Sequence, residues 1–477
     1  MEVKSTSPKK RSKTRPLAAS GTVHQHIDEQ RWAYLRDLVR FLEIPSISTL
    51  PAHKPDMERA AAFVREQLTE AGMQRVRSID LGGPPLVVGE WLGAPGKPTI
   101  LIYGHYDVQP VDPLSEWQTP PFEPDIRDGN IYARGATDDK GQVLAMILAV
   151  RAQMATAGSL PVNVRFLIEG EEEYGGASIE RYVREHADEI PCDAVLIADT
   201  HMLAPGQPSI VYGVRGMLYT ELVARGAAHD LHSGTYGGVA PNPLHALALI
   251  IAGLKGVDGH INIPGLYELA QPVTDEERGW WARQPGDPVA RLAAEMGVDV
   301  FPGEQDYSLP ERMAARPTLE VHGFIGGFQQ EGAKTVIPAE ARAKVSLRLV
   351  PDQTAENVLP LLQARVAELT PPGVTVEVKN IHGGLGMVLD VHNPYVAAAS
   401  AALAEEFGRA TVFLREGGSI PIAPLFAAQL GAPVVFAGYG LADEGLHAPN
   451  EHFNLENFYH GIHGTVRFLQ HVAEVTR

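Results

Sequence analysis

Several acidic and imidazole side chains in this chain stand where predicted strands end, and their types suit the binding of a metal ion. The motif GHYD places His105 and Asp107 just after a β-type run, where the two-residue period of extended chain puts both on one face. An aspartate so placed can orient a metal-binding imidazole. Taken alone, the fragment reads more simply as a turn with a hydrogen-bonded histidine. ARGATDDKG is flanked by glycines and opens a helical stretch, so one of Asp138 and Asp139 suits helix capping and the other a ligand role. EGEEEYGG sets four carboxylates, Glu169, Glu171, Glu172 and Glu173, within five positions after the run VNVRFLI. Like charges so crowded cost energy unless a cation neutralises them. Asp199 closes another strand in IADT, and His447 follows APVVFAG in GLHAPNE.

What joins these fragments is position. In open α/β sheets, ligands bind in the crevice outside the carboxyl ends of the strands. His105, the pair Glu172 and Glu173, Asp199 and His447 each follow a predicted strand at that end. One metal cleft accounts for all of them, whereas solvated surface acids would need a separate coincidence for each. Catalytic zinc sites mix His with Asp or Glu and keep a place for water, whose pKa falls to about 7. Two metals need a bridging ligand, which a carboxylate supplies with its two oxygens. A further carboxylate must stay off the metals to take the water's proton.

The elements that must position these groups follow from periodicity. Helical spacing over 27–43 and 55–71 gives way to strands alternating with helices, which predicts a mostly parallel α/β sheet with helices on both faces. The strands PTILIY, VNVRFLI and CDAVLIA flank a helix over 141–156, and the same texture returns with a helix over 394–407, the strand APVVFAG and a helix over 455–474. Between them the order changes to β-α-β-β-α-β: GMLYTELVARG, a helix over 241–255, PTLEVHGFIGG, ARAKVSLRLV, a helix over 354–369 and GVTVEVKN. That is a ferredoxin-like unit inserted into the first domain. Residues 256–316, rich in Pro and Gly, form a long excursion with short helices. The expected division is a disordered basic tail (1–22), a catalytic domain in two parts (23–214 and 385–477), and an inserted domain (215–384).

Composition narrows the function. The net charge of −18 argues against nucleic acid as the main partner. Only KSTSPKKRSKTR is strongly basic, and it has no apolar stretch of the kind a secretory signal needs. Cys192 is the only cysteine, so no intrachain disulfide forms. The longest apolar runs fall short of the roughly 18 residues of a membrane span. A cytoplasmic protein without a membrane partner is expected.

Taken in order, GHYDVQP, ARGATDDKG, EGEEEYG, IAD, DLHSGTYGG, SLRLVP, REGGSIPI and LHAPNE resemble the aminoacylase/carnosinase/carboxypeptidase G family of two-zinc peptidases, above all its carnosinase-like dipeptidase branch. The resemblance runs from about residue 26 to the end. It implies that His105 and Asp199 hold one zinc, Glu173 and His447 the other, and that Asp138 bridges them. Manganese or cobalt would suit the same ligands. Asp107 would then support His105, and Glu172 would be the general base; the neighbouring Glu171 leaves an assignment shifted by one open. The inserted domain becomes a lid and homodimerisation domain. Its His232 would reach the partner subunit's site, Arg348 would clamp the substrate carboxylate, and Gly417, Gly418, Ser419 and Thr335 would line the substrate. The implied reaction is hydrolysis of dipeptides, with N-acyl amino acids as the alternative substrates.

Overall fold

The computed structural model describes residues 22–418 and 420–476. The expected tail lies outside these residues except for Thr22, whose hydroxyl accepts from Gln25 N and caps the helix Val23–Leu42.

The larger sheet has a parallel centre and antiparallel margins. Asn163–Glu169, Thr99–His105, Ala194–Ile197 and Val434–Phe436 lie side by side and parallel. Leu86–Trp91 joins one side antiparallel and carries Gln74–Ile79, also antiparallel, at the edge. Ser209–Val214 joins the other side antiparallel and pairs with Val412–Glu416 in parallel. The central strands bury both faces, as parallel strands under helices must. Ile100 and Ile102 pack towards the helices Lys54–Glu70, Lys140–Ala157 and Leu455–Val472, while Leu101 and Tyr103 pack towards Ala177–His186 and Ile422–Leu430.

Register brings the functional strand ends level. His105 pairs with Glu169, Tyr103 with Ile197, and Ile197 with Phe436. The crossover helix Lys140–Ala157 is buried along nearly its whole first half, so the run VLAMILAV has no polar face. Its N-terminus opens at the same end of the sheet. It stops at Gly158, whose φ of +69° gives the left-handed cap that glycine adopts at little cost.

The second sheet runs Thr318–Gly326, Glu340–Leu349, Gly216–Arg225, Thr375–Gly384, antiparallel throughout. With helices Pro243–Leu254 and Ala355–Leu369 packed on one face, the chain order is the expected β-α-β-β-α-β. Residues 256–316 form an excursion containing helices Asp275–Ala282, Pro288–Met296 and Leu309–Ala314. Glu277 closes a capping box with Thr274, accepts from Tyr212 Oη at 2.9 Å and pairs with Arg415. That buried network fastens the excursion to two strands of the larger sheet.

Candidate metal centre

Five side chains from five separate segments meet at the carboxyl end of the parallel strands. His105 Nε2 lies 3.1 Å from Asp138 Oδ1 and 3.8 Å from Asp199 Oδ2. His447 Nε2 lies 3.0 Å from Asp138 Oδ2 and 3.3 Å from Glu173 Oε2. They form two triads, His105–Asp138–Asp199 and Asp138–Glu173–His447, with the donor atoms of each within 4.8 Å of one another. Asp138 belongs to both and turns a different oxygen to each.

The surroundings fit a pair of cations. His105 Nε2 is fully buried beside carboxylate oxygens and has no hydrogen-bond partner among the described residues. A buried polar atom left in this state is costly unless something else binds it. Without cations, protons fill the deficit. Burial opposes protonation of His105, but Asp107 and Asp138 outweigh it and hold its pKa well above the ordinary value. Asp138 and Glu173 push His447 up to about 10, and burial pushes Asp199 up to about 7. Imidazole and carboxylate donors in this mixture suit zinc, and also manganese or cobalt.

Outer contacts fix the ligands. Asp107 Oδ1 stands 3.3 Å from His105 Nδ1, while its Oδ2 accepts from Ser48 Oγ at 2.7 Å and from Glu173 N at 3.2 Å. A single aspartate thus orients one triad's imidazole and the other triad's glutamate. Gln109 Nε2 donates to Glu173 Oε2 at 2.7 Å. Asp139 occupies the N-cap position of its helix but makes no side-chain cap bond; its Oδ2 accepts from His105 N at 3.2 Å. The capping expected of one of the two aspartates is therefore replaced by a bond that steadies the His105 backbone.

The acidic run divides by direction. Glu171 turns away from the triads, accepting from Ser178 N at 2.8 Å and Tyr174 Oη at 3.0 Å at the start of Ala177–His186. Glu169 is buried and accepts from Tyr103 Oη at 2.6 Å. Glu173 enters a triad. The Glu172 carboxylate has no hydrogen bond or ion pair among the described residues, yet it stands within the field of the cluster. Burial holds its pKa well above the ordinary carboxyl value; Asp199, Glu173 and Asp138 push the same way and His105 opposes them.

Sequence reasoning passed over two buried glutamates that join the loops carrying Asp138 and His447. Glu451 pairs with Arg134 at 2.8 Å and accepts from Gly135 N at 2.9 Å and from Thr137 N and Asp138 N, each at 3.2 Å. Glu444 accepts from Thr137 Oγ1 at 2.6 Å and from Leu441 N and Asn454 N, each at 2.9 Å. Both belong to or adjoin motifs already singled out, but a carboxylate that satisfies backbone N–H groups has no distinctive spacing. The clamp holds His447 at φ +58°, a left-handed conformation that costs a non-glycine residue roughly 1–3 kcal/mol.

The other expected substrate residues lie apart from the triads. His232 lies on one of two paired two-residue strands of the inserted unit and Thr335 just precedes the other, Val336–Ile337, with Thr335 Oγ1 3.5 Å from His232 Nε2. His232 is exposed, and among the described residues no hydrogen bond or ion pair links either to the triads. Arg348 and Gly417 line one cavity of about 650 Å³ between the second sheet and the excursion. Gly417 admits the close approach of its neighbours: a Cβ there would lie 2.7 Å from Arg215 Nη2 and 2.9 Å from Met313 O. Gly418 is exposed and accepts from Arg215 N at 3.0 Å. Ser419 lies outside the described residues.

The chain is similar to known proteins over nearly its whole length. Cys-Gly metallodipeptidase DUG1 of Saccharomyces cerevisiae is 32% identical over 95% of this chain and 98% of its own. The human Beta-Ala-His dipeptidase is 31% identical over 96% of this chain and 94% of its own. A solved structure of the dipeptidase Dug1p from S. cerevisiae superposes with a TM-score of 0.83 at 32% identity, covering 95% of this chain and 98% of that one. Human carnosine dipeptidase 1 gives the same TM-score of 0.83 at 31% identity, over 95% and 98%. The family description Peptidase family M20/M25/M40 matches residues 101–471, and with both triads resting on that stretch the chain belongs to this family of peptidases.

Proposed function

We propose that the protein is a dipeptidase that uses two zinc ions, His105 and Asp199 holding one, Glu173 and His447 the other, and Asp138 both. The observation that carries this reading is the sharing of Asp138 between two triads while the Glu172 carboxylate beside them is left unbonded. The cations, when bound, supply Lewis acidity towards the scissile carbonyl and lower the pKa of water. Glu172 accepts the proton of the attacking water and returns it to the leaving amine, a task suited to a carboxylate whose pKa is raised by burial. Asp107 keeps His105 in its tautomer and direction. The names of the relatives, Cys-Gly and Beta-Ala-His dipeptidases, support a small substrate with a free carboxylate. Arg348 is assigned to that carboxylate because a guanidinium fork matches it. Turnover of a dipeptide panel set against N-acetyl and N-succinyl amino acids tests the reading. Dipeptides should be hydrolysed and acyl compounds spared; activity confined to the acyl compounds would make the enzyme a deacylase.

The same proposal includes a homodimer through the inserted domain, residues 215–384. Thr318–Gly326 is an edge strand with Phe324 44% and Ile325 52% exposed, and an apolar edge of this kind is a template for pairing. His232 and Thr335, exposed and apart from their own triads, are taken to serve the partner's site, where the imidazole would stabilise the developing oxyanion. Mixing inactive Glu172→Ala and His232→Ala subunits should therefore restore activity in heterodimers. Absence of recovery after demonstrated subunit exchange would remove the trans role.

A further inference from the structure

The cavity beside Arg348 contains more than a carboxylate seat, and its lining is chemically mixed. Arg215 and Arg348 both line it, and Arg215 is buried. Arg215 donates from Nε to Gly417 O at 3.1 Å and from Nη1 to Arg316 O and Thr318 Oγ1, each at 3.4 Å. Two guanidiniums lining one recess create the positive potential that draws a carboxylate. A chain of contacts leads from this recess towards the metal centre: Glu416, next to Gly417, has Oε1 3.6 Å from His201 Nδ1, and His201 is two residues from Asp199.

The excursion adds apolar side chains to the lining beside its own Glu304, Arg312 and Arg316. These side chains are Leu292, Met296, Phe301 and Met313, with Met296 61% and Met313 49% exposed. Large apolar side chains left open within a concave surface mark a place for an apolar ligand group. The lid sheet supplies a stack of rings, with Tyr219 between His322 and His382 at centroid distances of 5.3 and 5.1 Å; Tyr219 and His322 line the cavity. His322 is itself fixed by Ser346 Oγ at 2.7 Å from Nε2. An aromatic ring can pack edge-to-face against such a stack. The buried Glu277–Arg415 pair fastens the excursion to the larger sheet, so its part of the lining is in place before a ligand arrives.

We infer that this cavity is the subsite for the side chain of the substrate's carboxy-terminal residue, and that it selects a large apolar side chain, best an aromatic one. The inference rests on the dipeptidase reading. A glycine at that position leaves the apolar side chains in water, whereas phenylalanine covers them while its carboxylate meets the guanidiniums.

With the N-terminal residue constant, the zinc-loaded enzyme should show a kcat/KM for Ala-Phe at least roughly tenfold above that for Ala-Gly, the scale on which apolar pockets discriminate. Phe301→Ala combined with Met296→Ala should collapse that ratio towards one, and Met313→Trp, which fills the cavity instead of emptying it, should lower it as well. Calorimetric titration of the Glu172→Gln protein with the same dipeptides should show the same preference in affinity. A wild-type ratio near one in both measurements, or a ratio untouched by all these variants, overturns the subsite. Absence of turnover of both dipeptides with the binding preference intact would sink the dipeptidase reading and leave the subsite standing.

Discussion

Glu172→Gln is expected to bind its cations as the wild type does and to lose kcat by about 10²- to 10⁴-fold, the usual contribution of a positioned general base. The substitution preserves size and hydrogen-bonding shape while removing the ability to take a proton. The Glu172 carboxylate has no bond to lose: Glu173 and not Glu172 belongs to a triad, and Glu171 is occupied at the start of Ala177–His186. Loss of affinity for zinc in step with activity would identify Glu172 as a ligand and return the base assignment to one of its neighbours. Near-normal turnover would exclude it from proton transfer.

Removal of the cations should abolish hydrolysis and destabilise the fold, with a pH dependence whose sign follows from the cluster. Burial raises Asp199 from 3.8 to about 7, and Asp138 and Glu173 raise His447 from 6.5 to about 10. Both groups hold protons more tightly in the folded chain than in the unfolded one. Stability of the metal-free protein therefore falls as pH rises, through Asp199 between 3.8 and about 7 and through His447 between 6.5 and about 10. Asp138 is lowered by His105 and His447 against the effect of burial, and its opposing contribution acts only below 3.8. Cations displace these protons, so their binding tightens as pH rises. Scanning calorimetry should show the gain in Tm on adding zinc growing from about pH 5.5 to 8. A free concentration 1,000-fold above Kd is worth about 4 kcal/mol. A gain that shrinks over that range would contradict the assignment of these groups as ligands.

Much of this site was legible because its chemistry follows strand ends. A strand announces itself by an apolar run, and His105, Glu172, Glu173 and Asp199 come directly after such runs. The parallel centre then makes the ends converge. The margins were harder to read: QRVRSI of Gln74–Ile79 is half exposed and carries two arginines, so its sequence lacks the pattern of a buried strand. The cross-loop clamps were equally silent. Glu451 serves Arg134 and three backbone N–H groups more than 300 residues away in sequence, a relation that only the folded chain reveals. The excursion could be recognised as irregular, but its attachment through Glu277 and Arg415, and hence the apolar lining it holds in place, depends on tertiary packing.

The most direct test is a crystal structure of the zinc-loaded Glu172→Gln protein with metals located by anomalous scattering. The account predicts two peaks per subunit, one ligated by His105 and Asp199 and the other by Glu173 and His447, with Asp138 between them and residue 172 bound to neither. A single peak, or a metal held by residue 172, would contradict it.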